Sequence, residues 1–314
     1  MEVDVILPVY RGKRWIREAV DSVLAQTYPR WHLIIVDDAS PDDTLDYVKQ
    51  AYRECGGRLS FLRLTHRRGP GGARMEAIRQ AHGDAIAFID QDDRWHPQKL
   101  ISQVECLQRV PIVEAVHTDI QCIDSYGQRL RGRADRENAQ RARIPYDRLE
   151  SKALTRHLFL RADVIRLVSA LVRRRPFEQI GGFDETLAGG EDWEFWVRFA
   201  ASGYSLAHLP MPLIDRRLHS GNTSHQSMWR QGHWRALEKV LLAHPELAEL
   251  APQRKVNLLC EEAIAALITG QNAPARQQAR QLIRLAPYDW RGYVLLLFSC
   301  LGSIPRSLLA RRMT

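Results

Sequence analysis

The stretch that most constrains the fold of this chain is Ala85–Asp93, which reads AIAFIDQDD. A short apolar run bounded by polar residues predicts a buried strand, which would place Asp90, Asp92 and Asp93 at its carboxyl end. Like charges this close together disfavour ionisation unless a cation lies among them. Oxygen ligands suit Mg²⁺ or Mn²⁺, and these ions commonly link protein carboxylates to the phosphates of a nucleotide. A solvated acidic turn is the alternative interpretation.

The composition predicts one substantial core and an anionic partner. The 314 residues are 45% hydrophobic, yet no apolar run approaches the roughly 18 residues that cross a bilayer. The first residues, MEVD, lead into a strand-like segment without a signal-peptide layout, so we expect a cytoplasmic protein. The five cysteines show no metal-ligand spacing and fit reduced thiols. The net charge is +8, but bases and acids are interspersed, which favours a nucleotide or an anionic lipid over nucleic acid.

Strands and helices alternate four times over the first 110 residues. Apolar segments predict the strands, and apolar residues three and four apart predict the helices. The predicted strands cover residues 3–9, 32–36, 59–64 and a segment from 85 to the aspartates, and the predicted helices cover 15–26, 44–55, 73–81 and 98–110. This order is typical of a doubly wound α/β domain with a mostly parallel central sheet flanked by helices.

Ligands of such sheets bind beyond the carboxyl ends of the strands. This rule brings residues 8–11, Asp37, Asp38 and the aspartates at 90–93 around one crevice. Arg74 is predicted at the start of the helix that follows GPGG, where its side chain and the helix amides would both meet an anion. A flexible turn without a ligand is the alternative interpretation of GPGG.

Beyond residue 110 the pattern is less regular. Residues 115–124 and 169–173 predict two further strands, and the segment FEQIGGF after the second one predicts a turn. Residues 125–150 are polar, rich in arginine and without clear periodicity. Such a stretch is typical of a mobile substrate lid, and we expect acceptor contacts over residues 125–165.

A pair of carboxylates begins the next predicted helix, which covers residues 191–200. Glu191 and Asp192 would lie on its first turn, where the helix dipole favours negative charge. Capping alone would explain that placement, so the pair is a candidate site and also a candidate cap. His219 lies among basic residues and turn-formers, and it is either a metal or phosphate ligand or a surface histidine.

After about Gln226 the sequence predicts helices without strands. Their predicted ranges are 229–244, 246–269, 274–285 and 290–301. The last of them, WRGYVLLLFSCL, is too short to cross a bilayer. A packed core helix is favoured for it, and an interfacial membrane helix with Arg306, Arg311 and Arg312 as a basic flank is the alternative. Peripheral contact with the inner face of the plasma membrane through this basic C-terminus is therefore open.

Taken in order, the motifs resemble those of the family-2 glycosyltransferases of GT-A fold. The similarity covers about residues 3–224 and is much weaker beyond them. The segments that carry it are VILPVY at 5–10, SVLAQTY at 22–28, IVDDAS at 35–40, AR at 73–74, FIDQDD at 88–93, IGGFD at 180–184, ED at 191–192 and RLHSGNTS at 217–224. The resemblance implies a GT-A domain over residues 1–225, with a nucleotide-sugar half to about residue 110 and an acceptor half after it. A helical region over residues 226–314 would follow.

The resemblance implies an inverting transfer of a sugar from a nucleotide diphosphate donor, most often a UDP-sugar, to an acceptor hydroxyl. The product would be a polysaccharide, lipopolysaccharide or other surface glycan, built on a glycan or lipid-linked acceptor. By the family's motifs, the residues that hold the donor nucleotide would be Pro8, Val9, Tyr10, Asp38, Arg74, Asp90 and Gln91. A divalent ion, Mn²⁺ or Mg²⁺, would be held by Asp92, Asp93 and His219. Asp192 would be the catalytic base, with Glu191 beside it.

Two positions depart from the family pattern, because Arg11 and Met75 stand where relatives often carry asparagine. Both lie near the donor pocket in relatives, so they predict an altered donor preference or a pocket built differently. Two alternative functions stay open. A nucleotidyltransferase would need a glycine-rich signature after the first strand, which YRGKRW does not supply. A degenerate transferase that binds nucleotide or glycan without turnover is disfavoured, because the aspartate cluster and the Glu191–Asp192 pair are both present.

Overall fold

The structure is a computed structural model that describes residues 1–130, 138, 150–160, 165–219, 221 and 227–301, with the backbone alone for 227–230. The strands are β1 (Val3–Val9), β2 (Trp31–Asp37), β3 (Leu59–Arg63), β4 (Ala85–Phe88), β5 (Arg94–Trp95), β6 (Val113–Ile123), β7 (Ala170–Arg173) and β8 (Ser205–Arg217). The helices are α1 (Ile16–Leu24), α2 (Thr44–Ala51), α3 (Gly69–Gln80), α4 (Lys99–Arg109), α5 (Ser151–Leu160), α6 (Arg174–Ile180), α7 (Glu191–Ala201), α8 (Ser227–Ala243), α9 (Ala251–Ile268), α10 (Asn272–Leu285) and α11 (Trp290–Cys300). Most of the predicted lid lies outside the described residues.

One sheet of eight strands runs through the molecule in the order β3-β2-β1-β4-β7-β6-β8-β5. The strands β1 to β4 are parallel, β6 and β8 run in the same direction, and β7 and β5 are antiparallel to their neighbours. The predicted α/β fold with a mostly parallel sheet is therefore confirmed. Val9 pairs with Asp37 and Ile6 with Phe88, so β1, β2 and β4 end at the same edge.

Alternate residues of the central strands pack against different layers of helices, as the period of two in a strand requires. Ile6 and Ile34 belong to a core that includes side chains of α3, α5, α7 and α8. Val5 and Ile35 belong to a second core, with side chains of α1, α2 and α4. The sheet is therefore covered on both faces, which explains why its strands read as continuous apolar runs.

Helix α3 begins at Gly69, four residues before the predicted start at Ala73. The prediction failed because GPGG resembles a turn. Proline is nevertheless tolerated in the first turn of a helix, because the backbone N–H groups there have no hydrogen-bond partner within the helix. The carboxylate of Asp38 accepts hydrogen bonds from the backbone N–H groups of Arg68 and Gly69 and so caps the helix. Arg74 consequently lies in the second turn of α3, and its predicted place at the helix start was wrong.

Other elements also differ from the prediction, and α5 and β5 were not predicted at all. The segment predicted as a turn, FEQIGGF, contributes its first residues to α6, which ends where Gly181 adopts a positive φ of 78°. Strand β8 was not predicted because it contains Pro210 and Pro212, which cannot donate to a ladder and break the apolar alternation. Its register with β6 shifts between Thr118 and Asp119.

One of the C-terminal helices, α8, packs into a core of the sheet domain. Ala236, Leu237 and Val240 of α8 belong to the same core as α3 and α7. Helices α9, α10 and α11 share a smaller core of their own around Ala263 and Leu295. The predicted domain boundary at residue 225 stays a prediction. Among the described residues, no helix combines the length and the apolar character needed to cross a bilayer.

Candidate active site

The three aspartates that follow β4 form one acidic turn. Asp90, Asp92 and Asp93 each offer a carboxylate oxygen, and these oxygens lie within 4.8 Å of one another. The backbone N–H of Asp93 donates to the carbonyl of Asp90 at 3.1 Å and closes the turn. Burial, followed by the charges of Asp92 and Asp90, raises the pKa of Asp93 well above its usual value. The turn therefore concentrates negative charge that a bound cation would compensate.

Gln91 links the acidic turn to the end of β1. Its side-chain oxygen accepts from the backbone N–H of Tyr10 at 2.9 Å, and its side-chain nitrogen donates to the carbonyl of Tyr10 at 3.0 Å. A Cβ atom on Gly12 would lie 2.4 Å from the same oxygen, so a larger residue there would have to displace the Gln91 amide. The observed contacts give Gln91 a positioning role, and its predicted contact with the donor stays a prediction.

Arg217, at the end of β8, holds the acidic turn from the opposite side. Its backbone N–H donates to Oδ1 of Asp93 at 2.9 Å, and its Nε donates to the carbonyl of Asp92 at 2.9 Å. Its Nη2 donates to Oε2 of Glu18 in α1 at 2.6 Å. Arg217 belongs to the segment RLHSGNTS, but the sequence did not predict it as a site residue. Its role depends on contacts with residues more than a hundred positions away in the sequence.

The predicted metal ligands come together in the fold. Nε2 of His219 lies 2.8 Å from Oδ2 of Asp92, and the imidazole packs against the Trp15 ring with centroids 4.4 Å apart. The resulting set joins His219 to the acidic turn, with the buried carboxylate of Asp93 beside them. Carboxylate oxygens with one imidazole nitrogen suit Mn²⁺, and the carboxylates alone suit Mg²⁺. The residues present therefore fit the predicted divalent ion.

Arg74 connects the acidic turn to the Glu191–Asp192 pair. Its Nη2 donates to Oδ1 of Asp90 at 2.7 Å, and its Nη1 donates to Oε1 of Glu191 at 3.4 Å. Burial alone would lower the pKa of Arg74, but the charges of Asp90, Glu191 and Asp192 raise it. The predicted donor-side and acceptor-side carboxylates thus converge on one buried guanidinium.

Glu191 and Asp192 begin α7 but differ in environment. Glu191 is 7% exposed and packs beside Gly71 in the first turn of α3. Burial, together with the charge of Asp192, raises the pKa of Glu191 to about 7. Asp192 is partly exposed, so it is the member of the pair that an acceptor hydroxyl could reach. This difference fits a base at Asp192 and a positioning role for Glu191.

We expect Glu191 to make stability depend on pH. The pKa of its carboxyl is 4.5 in the unfolded chain and about 7 in the folded protein. Below pH 4.5 the group is protonated in both states and does not change the free energy of unfolding, and the free energy of unfolding falls as the pH rises from 4.5 to 7. Replacing Glu191 by Gln should remove this dependence, so the variant should gain about 2–3 kcal/mol relative to wild type between pH 5 and pH 8. Denaturant unfolding at several pH values measures the difference. Glu178→Gln, at an exposed site, should track wild type, and equal pH profiles for all three proteins would contradict the assignment.

Helix α8 positions the start of α7. Gly190 adopts a positive φ of 77° directly before Glu191, and the backbone of His233 would lie 3.1 Å from a Cβ atom at Gly190. A Cβ atom at Gly232 would approach the backbone of Gly189 to between 2.3 and 2.7 Å. The two backbones therefore touch, and residues in the C-terminal helical region fix where the Glu191–Asp192 pair sits.

We expect Gly232→Ala to lower both stability and activity. The added methyl group has to displace the Gly189 backbone, at an overpacking cost of about 1–3 kcal/mol. Displacement of the α7 start by about 1 Å would cost up to about 10²-fold in turnover. The control is Gly57→Ala, because a Cβ atom there meets nothing within 4 Å. Thermal melting and initial rates of both variants test the contact, and wild-type behaviour of Gly232→Ala would refute it.

The predicted nucleotide side of the crevice contains Asp38 and Tyr10. Both oxygens of the Asp38 carboxylate accept hydrogen bonds from the α3 backbone, at 2.6 and 2.9 Å, so its visible role is to cap the helix. Burial raises the pKa of Asp38. Two guanidinium groups approach the Tyr10 ring, with Arg67 at 4.0 Å and Arg11 at 5.4 Å from its centroid. Arg67 was not among the predicted residues, and the predicted contact of Asp38 with the donor nucleotide stays a prediction.

The other predicted donor residues are less exposed. Pro8 and Val9 are buried in β1, where they pair with Val36 and Asp37 of β2. Met75, which replaces the family's asparagine, accepts a hydrogen bond at its sulfur from the backbone N–H of Phe183 at 3.1 Å. Met75 therefore joins α3 to the segment after α6. Direct donor contacts of Pro8 and Val9 stay predictions.

Comparison with known proteins identifies the family. The profile of the Glycosyl transferase family 2 matches residues 4–181. The chain belongs to this family. A second profile, described as the N-terminal domain of galactosyltransferase, matches residues 167–223, which contain the Glu191–Asp192 pair and His219. Together the two matches cover every predicted site residue.

Curated relatives of this family-2 chain carry glycosyltransferase names. A putative teichuronic acid biosynthesis glycosyltransferase, TuaG of Bacillus subtilis (strain 168), is 41% identical over 103 residues, which are 33% of this chain and 40% of TuaG. An uncharacterized glycosyltransferase of Rickettsia prowazekii (strain Madrid E) is 28% identical over 229 residues, 72% of this chain and 67% of the relative. The chain thus spans less than half of TuaG and about two thirds of the second relative.

Solved structures share the fold. S. aureus TarS 1-349 in complex with UDP-GlcNAc matches with a TM-score of 0.60 at 17% identity, over 98% of this chain and 93% of TarS 1-349. The mannosyltransferase PcManGT of Pyrobaculum calidifontis, in complex with GDP-Man and Mn²⁺, matches with a TM-score of 0.57 at 22% identity, over 96% and 86% of the two chains. These neighbours support the GT-A fold expected from the sequence.

Proposed function

We propose that this chain transfers a sugar from a nucleotide diphosphate donor to an acceptor hydroxyl with inversion at the sugar carbon. The observation that carries the proposal is Arg74, whose guanidinium joins Asp90 of the acidic turn to Glu191, the neighbour of Asp192. A donor diphosphate at the acidic turn would leave its sugar between that turn and Asp192. Inversion needs a leaving group on one side of the sugar and a base on the other, and this crevice offers both.

The acidic turn would hold a divalent ion together with the donor. Asp92, Asp93 and His219 are the proposed ligands, and Asp90 lies beside them. When bound, Mn²⁺ or Mg²⁺ would offset the negative charge of the departing diphosphate. Arg217 and Gln91 keep the turn in place from two sides, so the ligands are positioned before a donor arrives.

Asp192 would take the proton of the acceptor hydroxyl. Its carboxylate is partly exposed at the first turn of α7, while Glu191 is buried against Arg74. The helix dipole favours a charged carboxylate at this position. Glu191 would hold Arg74, and through it Asp90, so its own role is to position the two sides of the crevice relative to each other.

The proposed donor is a UDP-sugar, and the proposed acceptor is a glycan or a lipid-linked glycan of the cell envelope. TarS binds UDP-GlcNAc, and TuaG is named for the biosynthesis of teichuronic acid. The Tyr10 ring, with Arg67 and Arg11 beside it, offers aromatic and cationic groups that a nucleotide could contact. We place this activity in the cytoplasm, where nucleotide sugars are supplied.

Nucleotide release from a panel of nucleotide sugars tests the proposal. UDP-, GDP-, dTDP- and CMP-sugars would each be incubated with the purified chain and Mn²⁺, and again with EDTA. Even without its acceptor, a transferase releases nucleotide slowly through transfer to water. We expect release from one class of donor, lost in EDTA. Binding of a nucleotide without release, in the presence of acceptor extracts as well, would favour the degenerate scaffold.

A further inference from the structure

One face of the α10–α11 hairpin is apolar although it faces solvent. Along α11 and its end, four large side chains recur at helical spacing, each between 50% and 62% exposed. We call them the outer stripe, and its members are Trp290, Tyr293, Leu297 and Leu301. On its opposite face α11 buries Gly292, Leu295 and Ser299 against the rest of the C-terminal helices. The predicted core helix is thus packed on one face only.

The outer stripe continues around the turn between the two helices. Tyr288 in this turn is 100% exposed, and Leu285 at the end of α10 is 43% exposed. The hydroxyl of Tyr293 donates to the carbonyl of Pro287 at 2.9 Å, so the turn and the stripe lie side by side. A contiguous exposed apolar surface of this kind is uncommon on monomeric proteins and indicates a site that binds a protein, a membrane or a ligand.

A row of arginines borders the outer stripe. Arg276, Arg280 and Arg284 follow one another along α10 and line a cavity of about 480 Å³, whose other lining residues among those described are two glutamines and an alanine. Nη2 of Arg276 donates to the carbonyl of Ser299 at 3.0 Å, which places the row next to α11. Asp289 is the only acidic residue in the sequence from 271 to 301, and Arg291 pairs with it at 2.6 Å.

We propose that this face docks on the surface of a bilayer that contains anionic lipids. Aromatic side chains with a polar tip favour the headgroup level, and the leucines of the stripe would reach the acyl boundary below it. The arginine row would lie over lipid phosphates, which guanidinium groups bind with paired hydrogen bonds. A second copy of this chain is a poorer occupant, because it would bring two arginine rows together.

The proposal does not depend on the transfer chemistry. It assigns a location to the chain, whatever the donor and acceptor prove to be. If the proposed function also holds, docking would keep the chain at the surface that carries a lipid-linked acceptor. A failure of one proposal can be told from a failure of the other, because vesicle binding needs neither nucleotide nor metal.

Co-sedimentation of the full chain with vesicles tests the docking face. We expect binding to phosphatidylcholine vesicles that contain phosphatidylglycerol and weak binding to phosphatidylcholine alone. The double variant Arg280→Gln and Arg284→Gln should lower the affinity by about 25-fold, because each arginine near an anionic surface contributes about fivefold. The double variant Tyr288→Ser and Leu297→Asn should lower it by at least about tenfold.

Matched controls keep the test specific. Arg30→Gln with Arg53→Gln removes the same charge from exposed arginines elsewhere. Tyr126→Ser with Leu242→Asn removes a tyrosine and a leucine that are also exposed, at 83% and 84%. Both controls should bind vesicles like wild type, and thermal melting should show all variants folded. Absent binding, or equal losses in variants and controls, would overturn the proposal. Sedimentation velocity would also overturn it if the wild-type chain is a dimer and only the variant Tyr288→Ser with Leu297→Asn is a monomer.

Discussion

Replacement of Asp192 by Asn should reduce the transfer rate by about 10²- to 10⁴-fold, the range that general base catalysis contributes. Asparagine keeps the shape of the side chain but cannot take a proton. Asp192 lies at the start of α7, whereas β1, β2 and α3 form the proposed nucleotide side of the crevice. The Kd for the donor nucleotide should therefore stay within about threefold of wild type. Initial rates with saturating donor, together with calorimetry of nucleotide binding, measure the two effects separately.

A suitable control is Asp46→Asn, an exposed aspartate on the first turn of α2 that should affect neither quantity. Loss of transfer and of nucleotide binding together in Asp192→Asn would indicate a structural role. Unchanged transfer would place the base elsewhere, and Glu191 would then be the next residue to test.

Replacement of Asp92 by Ala should remove most of the metal dependence of nucleotide binding. Asp92 contributes an oxygen to the acidic turn and contacts His219 at 2.8 Å, so the change removes one ligand and releases another. Loss of an outer-shell partner already weakens a metal site by about 10- to 100-fold, and we expect loss of a direct ligand to exceed that. Titration of Mn²⁺ in the presence of UDP, followed by calorimetry, measures the change.

Asp92→Asn gives a finer comparison, because it keeps the size of the side chain while removing its charge. We expect it to fall between wild type and Asp92→Ala. Asp46→Ala serves as the control for removal of a carboxylate from the surface. Undiminished metal-dependent binding in Asp92→Ala would contradict the proposed ligand set, whatever the activity of the variant.

Much of the donor half could be predicted from sequence because its information is local. The strands are short apolar runs, the helices show apolar residues at regular spacing, and a parallel sheet brings the ends of β1, β2 and β4 to one edge. That rule was enough to place Tyr10, Asp38 and Asp90 near one another. The prediction needed no knowledge of side-chain contacts.

The contacts that hold the site together were not predictable in the same way. Arg217 binds the acidic turn from the end of a strand whose prolines disguise it, and Gly232 positions α7 from a helix that follows the matched motifs. Asp38 was expected to hold the donor nucleotide, but the helix start that it caps was itself misplaced by the glycine-rich sequence before Arg74. Each of these depends on residues distant in sequence.

We propose that the crevice binds a nucleotide together with a divalent ion at the acidic turn. Thermal melting of the purified chain with UDP, GDP, dTDP or CMP, each with and without Mn²⁺, tests it most directly. A ligand that binds only the folded state raises the melting temperature according to its affinity and concentration. We predict a rise of several degrees with UDP that requires Mn²⁺ and is absent in Asp92→Ala. No shift with any nucleotide, or a UDP shift that EDTA leaves unchanged, would contradict the account.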